Sequence, residues 1–252
     1  MPTNNLYNGL LQARKQGQKK FAVLIDPDKT DPEHLLRVIQ VSRQSETDYF
    51  LVGGSMLLSQ TLAECVTVIK SLSDIPVILF PGSPLQICDG ADALLLLSVI
   101  SSRNAELLIG QHVTAAPALR ASRLEIISTG YLLIDGGTHT TVAYVSQSMP
   151  IPAGSIETAV CTAMAGELLG LRSLYLEAGS GARMPVSTAL VRGVREHTQV
   201  PLFVGGGIRT AEQATELCRA GADVIVAGTA TEESTETIST LAAAVHAAAW
   251  VH

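Results

Sequence analysis

The sequence predicts an α/β fold, a (β/α)8 TIM barrel preceded by an extra N-terminal helix. The chain has 252 residues, a usual length for such a barrel. Hydrophobic residues make up 47% of it and aromatic residues only 4%, so Leu, Val, Ile and Ala build the core, as in parallel sheets. Short apolar runs alternate with segments of helical spacing, which indicates parallel strands joined by crossover helices.

The elements follow in a regular order along the chain. The first is a helix, LYNGLLQARKQG, which we expect to cover the bottom of the barrel. Eight strands follow as short apolar runs, FAVLID, YFLVGG, PVILFPG, ADALLLLS, LEIISTGYLLID, SLYLEAG, PLFVGGG and DVIVAGTA. Helical spacing separates most of them, and ESTETISTLAAAVHAAAW closes the outer layer. We expect one domain over residues 1–252.

One segment departs from this alternation. Residues 131–152 read YLLIDGGTHTTVAYVSQSMPIP, with a Gly-Gly turn between β-like runs and no helical period. The pattern predicts a β-rich extension of the fifth unit.

Charge and hydropathy exclude several classes of function. The net charge is -6 and the sequence has no long run of Lys and Arg, which argues against nucleic acid as a partner. The N-terminus lacks the apolar stretch of a secretory signal, and no run reaches the roughly 18 apolar residues of a membrane span. We therefore expect a cytoplasmic protein.

Three consecutive strand ends are rich in glycine. The motifs GSG, GGGIR and AGT follow strands six, seven and eight. These ends converge in a barrel, so they predict a phosphate-binding cup of backbone amides and two hydroxyls. The cup comprises Gly179, Ser180, Gly181, Gly206, Gly207, Gly228 and Thr229. Arg209 either adds charge to it or forms an outer salt bridge.

A carboxylate lies beside this cup. Glu177 ends the sixth strand, so a substrate anchored by its phosphate would place its other end near Glu177, a candidate catalytic base. Tyr175 lies two residues earlier on the same face of the strand and is a second catalytic candidate, able to hydrogen-bond that substrate. The alternative for Tyr175 is an aromatic side chain packed in the barrel interior.

A candidate metal site follows the first strand. LIDPDK ends that strand in a carboxylate, with Pro27 stiffening the turn, and such hard oxygen ligands suit Mg²⁺. Asp26 is the preferred ligand because it ends the strand, whereas Asp28 either joins it or caps the turn. Ser55, after the Gly-Gly pair of the second strand, is expected to reach the same ion directly or through water.

Taken together, DPDK, VGGS, YLEAGSGA, VGGGIRT and AGTA resemble the motifs of the geranylgeranylglyceryl phosphate synthase family of prenyltransferases, which includes PcrB-like bacterial enzymes. The resemblance covers nearly the whole chain. Its discriminating motifs are LIDPDK and YLEAGSGA, because GGGIR occurs in many phosphate-binding barrels. It implies transfer of a prenyl group from a prenyl diphosphate to the 3-hydroxyl of sn-glycerol 1-phosphate, which forms an ether lipid precursor and releases diphosphate with Mg²⁺.

The resemblance also implies roles for individual residues. Asp26 and Ser55 would hold Mg²⁺. PcrB-like members resemble KLDPNK at the first strand, with a lysine that helps hold glycerol phosphate, whereas this chain has Ile25 before Asp26 and no lysine one step earlier. It looks like the family's other branch, which favours a geranylgeranyl donor. The implied contacts to glycerol phosphate are Tyr175, Leu176, Glu177, Ala178, Gly179, Ser180, Gly181, Gly206, Gly207, Gly228 and Thr229.

The resemblance further implies a homo-oligomer, a dimer or a hexamer, and its lipid product implies a peripheral contact with a membrane. Two other functions stay open from the residues. A sugar-phosphate isomerase or aldolase usually needs a second acid/base residue or a Schiff-base lysine inside the barrel, and the predicted strands contain no lysine. A non-catalytic barrel that binds a phosphorylated ligand would need neither Glu177 nor Mg²⁺.

Overall fold

The computed structural model describes residues 5–54, 61–83, 86–138 and 140–248. Its eight strands are all parallel and close into a barrel in chain order, which confirms the predicted fold class. The strands are β1 Lys20–Ile25, β2 Tyr49–Val52, β3 Val77–Leu79, β4 Ala93–Ser98, β5 Glu125–Leu133, β6 Ser173–Glu177, β7 Leu202–Gly205 and β8 Val224–Ala227.

Helices surround the barrel and connect its strands. They are α1 Asn5–Lys15, α2 Pro32–Gln44, α3 Thr61–Leu72, α4 Gln111–Ala121, α5 Thr141–Ser146, α6 Ile156–Leu168, α7 Thr188–His197, α8 Ala211–Ala220, α9 Thr229–Glu233 and α10 Glu236–Ala247, and a π-helical turn, Glu106–Gly110, leads into α4. Polar caps begin several of them: the Asp31 carboxylate accepts the His34 amide, and Thr210 forms a capping box with Gln213. In the part of the chain that the structure describes, no helix is long and apolar enough to cross a membrane.

The extra helix α1 covers the bottom of the barrel, as predicted. Its Leu10 is buried among side chains of the barrel interior. The Glu125 carboxylate at the start of β5 accepts the amides of Leu6 and Tyr7 at 2.8 and 3.1 Å. This carboxylate satisfies amides in the first turn of α1 that have no partner within the helix.

Two apolar cores lie on opposite faces of the barrel wall. Successive side chains of a strand point to opposite faces, so in β6 Leu174 and Leu176 pack toward the outer helices while Tyr175 packs inside the barrel. By the same alternation Glu177 points inward at the carboxyl end of β6. The helices bury the outer face, and the cavity at the mouth of the barrel is lined by polar residues and glycine together with apolar and aromatic residues.

The predicted β-rich extension over residues 131–152 was wrong. Only one isolated bridge, Ile134 to Ile151, follows β5, and the rest of the segment contains the short helix α5. Thr140 caps this helix by accepting the Ala143 amide at 3.4 Å. The physical reason is the closed barrel: β4 and β6 already pair with both edges of β5, so a further strand has no free edge beside it.

Candidate active site

A cavity of about 390 Å³ opens at the carboxyl ends of the strands. It lies where the active sites of such barrels are found. Residues of the predicted phosphate cup and of the predicted metal site both line it, and β1, which precedes Asp26, pairs directly with β8, which precedes Gly228 and Thr229. The predicted site residues that line it are Asp26, Tyr175, Glu177, Ser180, Gly181, Gly206, Gly207, Gly228 and Thr229.

Glu177 is fixed in position at the end of β6. It pairs with Gly205 across the strands, and its Oε1 accepts the amide of Gly179 at 2.6 Å. Its side chain is buried, yet it lines the cavity. The carboxylate therefore faces the cavity and is hydrogen-bonded to the first glycine of the cup.

Burial changes the acidity of this carboxyl group. It raises the pKa of Glu177 to about 7, although the Gly179 amide and the nearby Tyr175 hydroxyl favour the ionised form and oppose the shift. A carboxyl group with a pKa near neutral pH can both accept and return a proton. The group therefore has the acidity that a general base requires.

Tyr175 fits both interpretations made from the sequence. Its ring is fully buried and stacks on Phe80, Tyr131 and Phe203, with ring centroids 4.9, 5.7 and 6.0 Å away. Its hydroxyl lies beside Gly205 and Glu177 but forms no hydrogen bond of good geometry among the residues described. Burial and the Glu177 charge raise its pKa well above 10. The hydroxyl therefore stays protonated and can bind a polar group in the cavity.

The backbone of the glycine-rich turns faces the cavity. Ser180, Gly181, Gly206 and Gly207 follow β6 and β7, and none of the backbone hydrogen bonds of residues 173–210 uses their amides as donors. Thr229, the first residue of α9, lines the same cavity. Convergent amides of this kind bind anions.

Gly206 shows why the cup needs glycine. Its φ is +83°, a conformation that side chains rarely adopt. A Cβ atom there would contact Oε1 of Glu177 and would lie 2.7 Å from the amide nitrogen of Gly179. The absence of a side chain thus lets β7 approach the end of β6 and brings the cup against the carboxylate.

Two predicted contact residues have side chains outside the cavity. Leu176 and Ala178 lie in the outer core, between the barrel wall and the helices. The Ala178 amide donates to the Gly205 carbonyl at 3.0 Å. Their side chains therefore position the cup and do not line it.

Asp26 follows β1, the strand beside β8, and lines the cavity. Its Oδ1 accepts the Asp28 amide at 3.2 Å, and the Lys29 ammonium lies 3.1 Å from its Oδ2. Gly54 leaves room there, since a Cβ atom would lie 3.1 Å from Oδ2. A cationic group already occupies the place beside Oδ2, so the carboxylate fits a divalent cation.

The other candidate ligands, Ser55 and Asp28, give less support to a metal site than Asp26 does. Ser55 lies outside the described residues, and Asp28 accepts the Thr61 hydroxyl at 3.2 Å. Among residues 5–54, 61–83, 86–138 and 140–248, no group of three His, Cys, Asp or Glu could hold a metal ion. Mg²⁺ commonly binds through one or two carboxylates together with water and substrate phosphate, which is the arrangement that Asp26 allows.

Arg209 lines the cavity and also forms a salt bridge. Its Nη1 lies 2.7 Å from Oε2 of Glu233. Its charge is therefore partly neutralised at the edge of the cup.

Sequence reasoning missed an aromatic and apolar wall. Phe80, Tyr131 and Val142 line the main cavity and also a second cavity of about 110 Å³, whose further lining residues include Leu97, Val99 and Leu107. Phe80 directly follows β3 and Tyr131 lies in β5, and the ring centroids are 6.3 Å apart. The scarcity of aromatic residues in the chain was the only signal that could have singled them out.

The start of helix α5 borders the cavity. Its Thr141 and Val142 line the cavity, and the side chain of Thr140 packs so closely on Gly179 that a Cβ atom there would collide with it. The start of α5 is therefore in direct contact with the cup.

Residues 14–246 match the model of a protein family described as the PcrB family. The geranylgeranylglyceryl phosphate synthase of Chitinophaga pinensis is 52% identical over 246 residues, which covers 98% of this chain and 98% of the relative. The enzyme of the same name from Spirosoma linguale is 51% identical over 229 residues, covering 91% of this chain and 92% of the relative.

A solved structure is similar over the same extent. The (S)-3-O-geranylgeranylglyceryl phosphate synthase of Thermoplasma acidophilum, in complex with its substrate sn-glycerol-1-phosphate, superposes with a TM-score of 0.90 at 36% identity. The match covers 98% of this chain and 99% of that one.

Proposed function

The chain belongs to the PcrB family, and on that premise we propose that it is a prenyltransferase that joins sn-glycerol 1-phosphate to a prenyl diphosphate through an ether bond. One observation of the site carries the proposal: a buried carboxyl group with a pKa of about 7 lies against a phosphate-binding cup. Names of the relatives favour geranylgeranyl diphosphate as the donor.

The cup would hold the phosphate of the acceptor. The free amides of Ser180, Gly181, Gly206 and Gly207 offer hydrogen bonds to phosphate oxygens. A three-carbon acceptor held there extends toward Glu177 and the Tyr175 hydroxyl. The Thermoplasma enzyme, whose solved structure contains sn-glycerol-1-phosphate, has the same fold over nearly the whole chain, which supports this compound as the acceptor.

Glu177 then acts as the base. It accepts the proton of the 3-hydroxyl while the hydroxyl oxygen forms a bond to the first carbon of the prenyl group. The bond from that carbon to the diphosphate oxygen breaks, and its electron pair leaves on the diphosphate. The reacting carbon gains positive character, for which the rings of Phe80 and Tyr131, which line the cavity, would supply electron density.

The diphosphate would bind near Asp26, at the end of β1. Asp26 would hold Mg²⁺ there, with Ser55 as a second ligand expected from the family resemblance. When bound, the ion would supply positive charge to the leaving diphosphate.

The second cavity is suited to the apolar tail of the donor. It adjoins the main cavity through Gly54, Phe80, Tyr131 and Val142, and its other lining residues are mainly apolar. Each CH₂ group that is buried there contributes roughly 0.8 kcal/mol. We therefore place the first part of the prenyl chain between Phe80 and Leu107.

The strands hold no lysine at the cavity that could form the Schiff base of an aldolase, and Lys29, which does line the cavity, follows β1 and pairs with Asp26. Lys20 is the only lysine in the eight strands, and it begins β1 at the end of the barrel opposite the cavity. Its ammonium pairs with Asp48 at 2.8 Å. The strands thus place no amine nucleophile near the cup.

A homo-oligomer with a peripheral membrane contact in the cytoplasm remains part of the proposal. Large apolar side chains lie on the outer surface, among them Val113, Tyr144, Leu168 and Leu169, which are 67%, 86%, 86% and 81% exposed. Contact between subunits would remove such side chains from water. Light scattering at micromolar concentration should show a dimer or a hexamer, and a strict monomer would contradict this part.

The activity is tested by incubating the protein with sn-glycerol 1-phosphate, Mg²⁺ and a mixed pool of prenyl diphosphates. We expect one ether product, and its mass identifies the length of the prenyl chain. The absence of any ether product, with the acceptor consumed or rearranged in another way, would favour a different phosphate-handling reaction.

A further inference from the structure

Lys29 lies in the turn after β1 and faces the carboxylate at which a metal is expected. Its ammonium lies 3.1 Å from Oδ2 of Asp26, whereas Oδ1 accepts the Asp28 amide. The Asp26 carbonyl oxygen accepts the Lys29 amide at 3.1 Å and the Thr30 hydroxyl at 2.9 Å. These backbone contacts hold the turn together without the Lys29 side chain, so the side chain can move while the turn stays in place.

The charged residues around the cavity are mostly carboxylates, and Lys29 is one of the few cations among them. The described charged residues that line it are Asp26, Asp28, Lys29, Glu177, Arg209 and Glu232. Carboxylates therefore outnumber cations, although both substrates of the proposed reaction carry phosphate groups. Arg209 lies at the cup and is paired with Glu233, whereas Lys29 lies on the side of Asp26, where the diphosphate is expected.

A divalent cation and an ammonium group compete for the same oxygen. The Lys29 ammonium lies 3.1 Å from Oδ2 of Asp26, so an ion bound at that oxygen would lie close to it and the two positive charges would repel each other. The side chain of Lys29 is 54% exposed and that of Asp26 only 13%. Because an exposed ion pair contributes little stability, the lysine can leave at small cost while the aspartate stays.

We propose that Lys29 is an exchangeable counter-ion: it neutralises Asp26 in the metal-free protein and moves to the diphosphate of the donor when a divalent cation binds Oδ2. The inference rests on the proposed function. A lysine has a flexible stem and three donors, so it can reach phosphate oxygens from the same backbone position. Lys29 forms no covalent bond. Its ammonium group compensates the negative charge that the diphosphate gains when it leaves with the electron pair of the broken bond.

The proposal predicts that Lys29 weakens metal binding in the free protein. We would titrate chelator-treated protein with Mn²⁺ in the absence of substrates and follow the free ion by electron paramagnetic resonance. In Lys29→Met the dissociation constant should fall about two- to fivefold, the range expected for a partly exposed ion pair. The charge-matched control is Lys70→Met, because Lys70 pairs with Asp92 at 2.9 Å outside the cavity and should leave Mn²⁺ binding unchanged. Unchanged or weaker binding in Lys29→Met overturns the proposal.

The proposal also predicts that loss of the Lys29 ammonium weakens the binding of diphosphate. With saturating Mn²⁺, calorimetry should show inorganic diphosphate binding about ten- to a hundredfold more weakly to Lys29→Met, since a charged hydrogen bond is lost. Lys29→Arg should keep most of the affinity, and binding of sn-glycerol 1-phosphate should stay unchanged in both variants. Unchanged diphosphate affinity in Lys29→Met overturns the transfer. A wild-type protein that forms no ether product would instead refute the proposed function, since neither binding measurement depends on turnover.

Discussion

Oε1 of Glu177 accepts a 2.6 Å hydrogen bond from the amide of Gly179, which joins the carboxylate directly to the first glycine of the cup. The same carboxylate oxygen limits Gly206 to a residue without a side chain. The carboxylate and the glycine-rich turns are therefore in direct contact at the ends of β6 and β7. A change in either one should affect the other.

Replacement of Glu177 by glutamine tests its role as the base. The Glu177→Gln variant keeps the shape of the side chain but cannot accept a proton. We expect kcat to fall on the order of 10² to 10⁴, the usual contribution of a positioned acid/base group. The KM for sn-glycerol 1-phosphate should change far less. Glu216→Gln, an exposed position on α8, is the control and should leave both constants unchanged. Near-normal kcat with a raised KM would make Glu177 a residue that only positions the acceptor.

The acidity of Glu177 should also appear in the pH profile. Its pKa is raised to about 7, so the carboxyl group is largely protonated below that pH and cannot act as a base. We expect kcat/KM for the acceptor to rise with pH through an apparent pKa near 7 and then to level off. The residual activity of Glu177→Gln should lack this step. A step of the same position in the variant would assign the titration to another group.

The same shift makes a prediction about stability. Because the pKa of Glu177 is higher in the folded protein than the ordinary value of 4.5, its contribution to stability is fully present below pH 4.5 and is lost as the pH rises through about 7. The glutamine variant carries no charge there at any pH. Chemical denaturation should therefore show that, between pH 5 and pH 8, the unfolding free energy falls less in Glu177→Gln than in the wild type. Equal losses would mean that the folded protein does not raise this pKa.

Asp26→Ala should separate the metal from the acceptor site. Turnover should fall about a thousandfold or more, because metal assistance of a leaving group contributes several kcal/mol. Calorimetry should show nearly unchanged binding of sn-glycerol 1-phosphate, since the ion serves the diphosphate and not the acceptor. Asp74→Ala, at an exposed position before β3, serves as the control. Equal loss of turnover and acceptor binding would refute this division of roles.

Gly206→Ala tests the cup itself. The new Cβ atom would occupy a strained backbone conformation and contact Glu177 and the Gly179 amide. We expect the unfolding free energy to fall by about 1 to 3 kcal/mol and binding of sn-glycerol 1-phosphate to weaken. The matched control is Gly154→Ala, because a Cβ atom at Gly154 meets no other atom within 4 Å and its φ is not positive. Normal acceptor binding in Gly206→Ala would place the phosphate elsewhere.

The sequence by itself determined the repeated units of the barrel and the position of the glycine-rich turns at its mouth. Both depend on local patterns: apolar runs, helical spacing and glycine at three strand ends can be recognised over a few residues. The candidate base could be singled out in the same way, because Glu177 interrupts an apolar run and only Ala178 separates it from GSG. The segment after β5 could not, since a β-like pattern forms a strand only where a neighbouring edge is free, and the closed barrel leaves none.

Tertiary structure alone decided how these parts interact. Burial is a property of the assembled barrel, so the raised pKa of Glu177 follows from neighbours that are distant in the sequence. The stack of Phe80, Tyr131 and Tyr175 combines β5, β6 and the residue that follows β3. The pairing of Lys29 with Asp26 depends on side-chain positions, because a DPDK motif equally allows the lysine to point into solvent. Sequence patterns act over short distances, whereas acidity, aromatic contacts and ion pairs depend on what the closed barrel brings together.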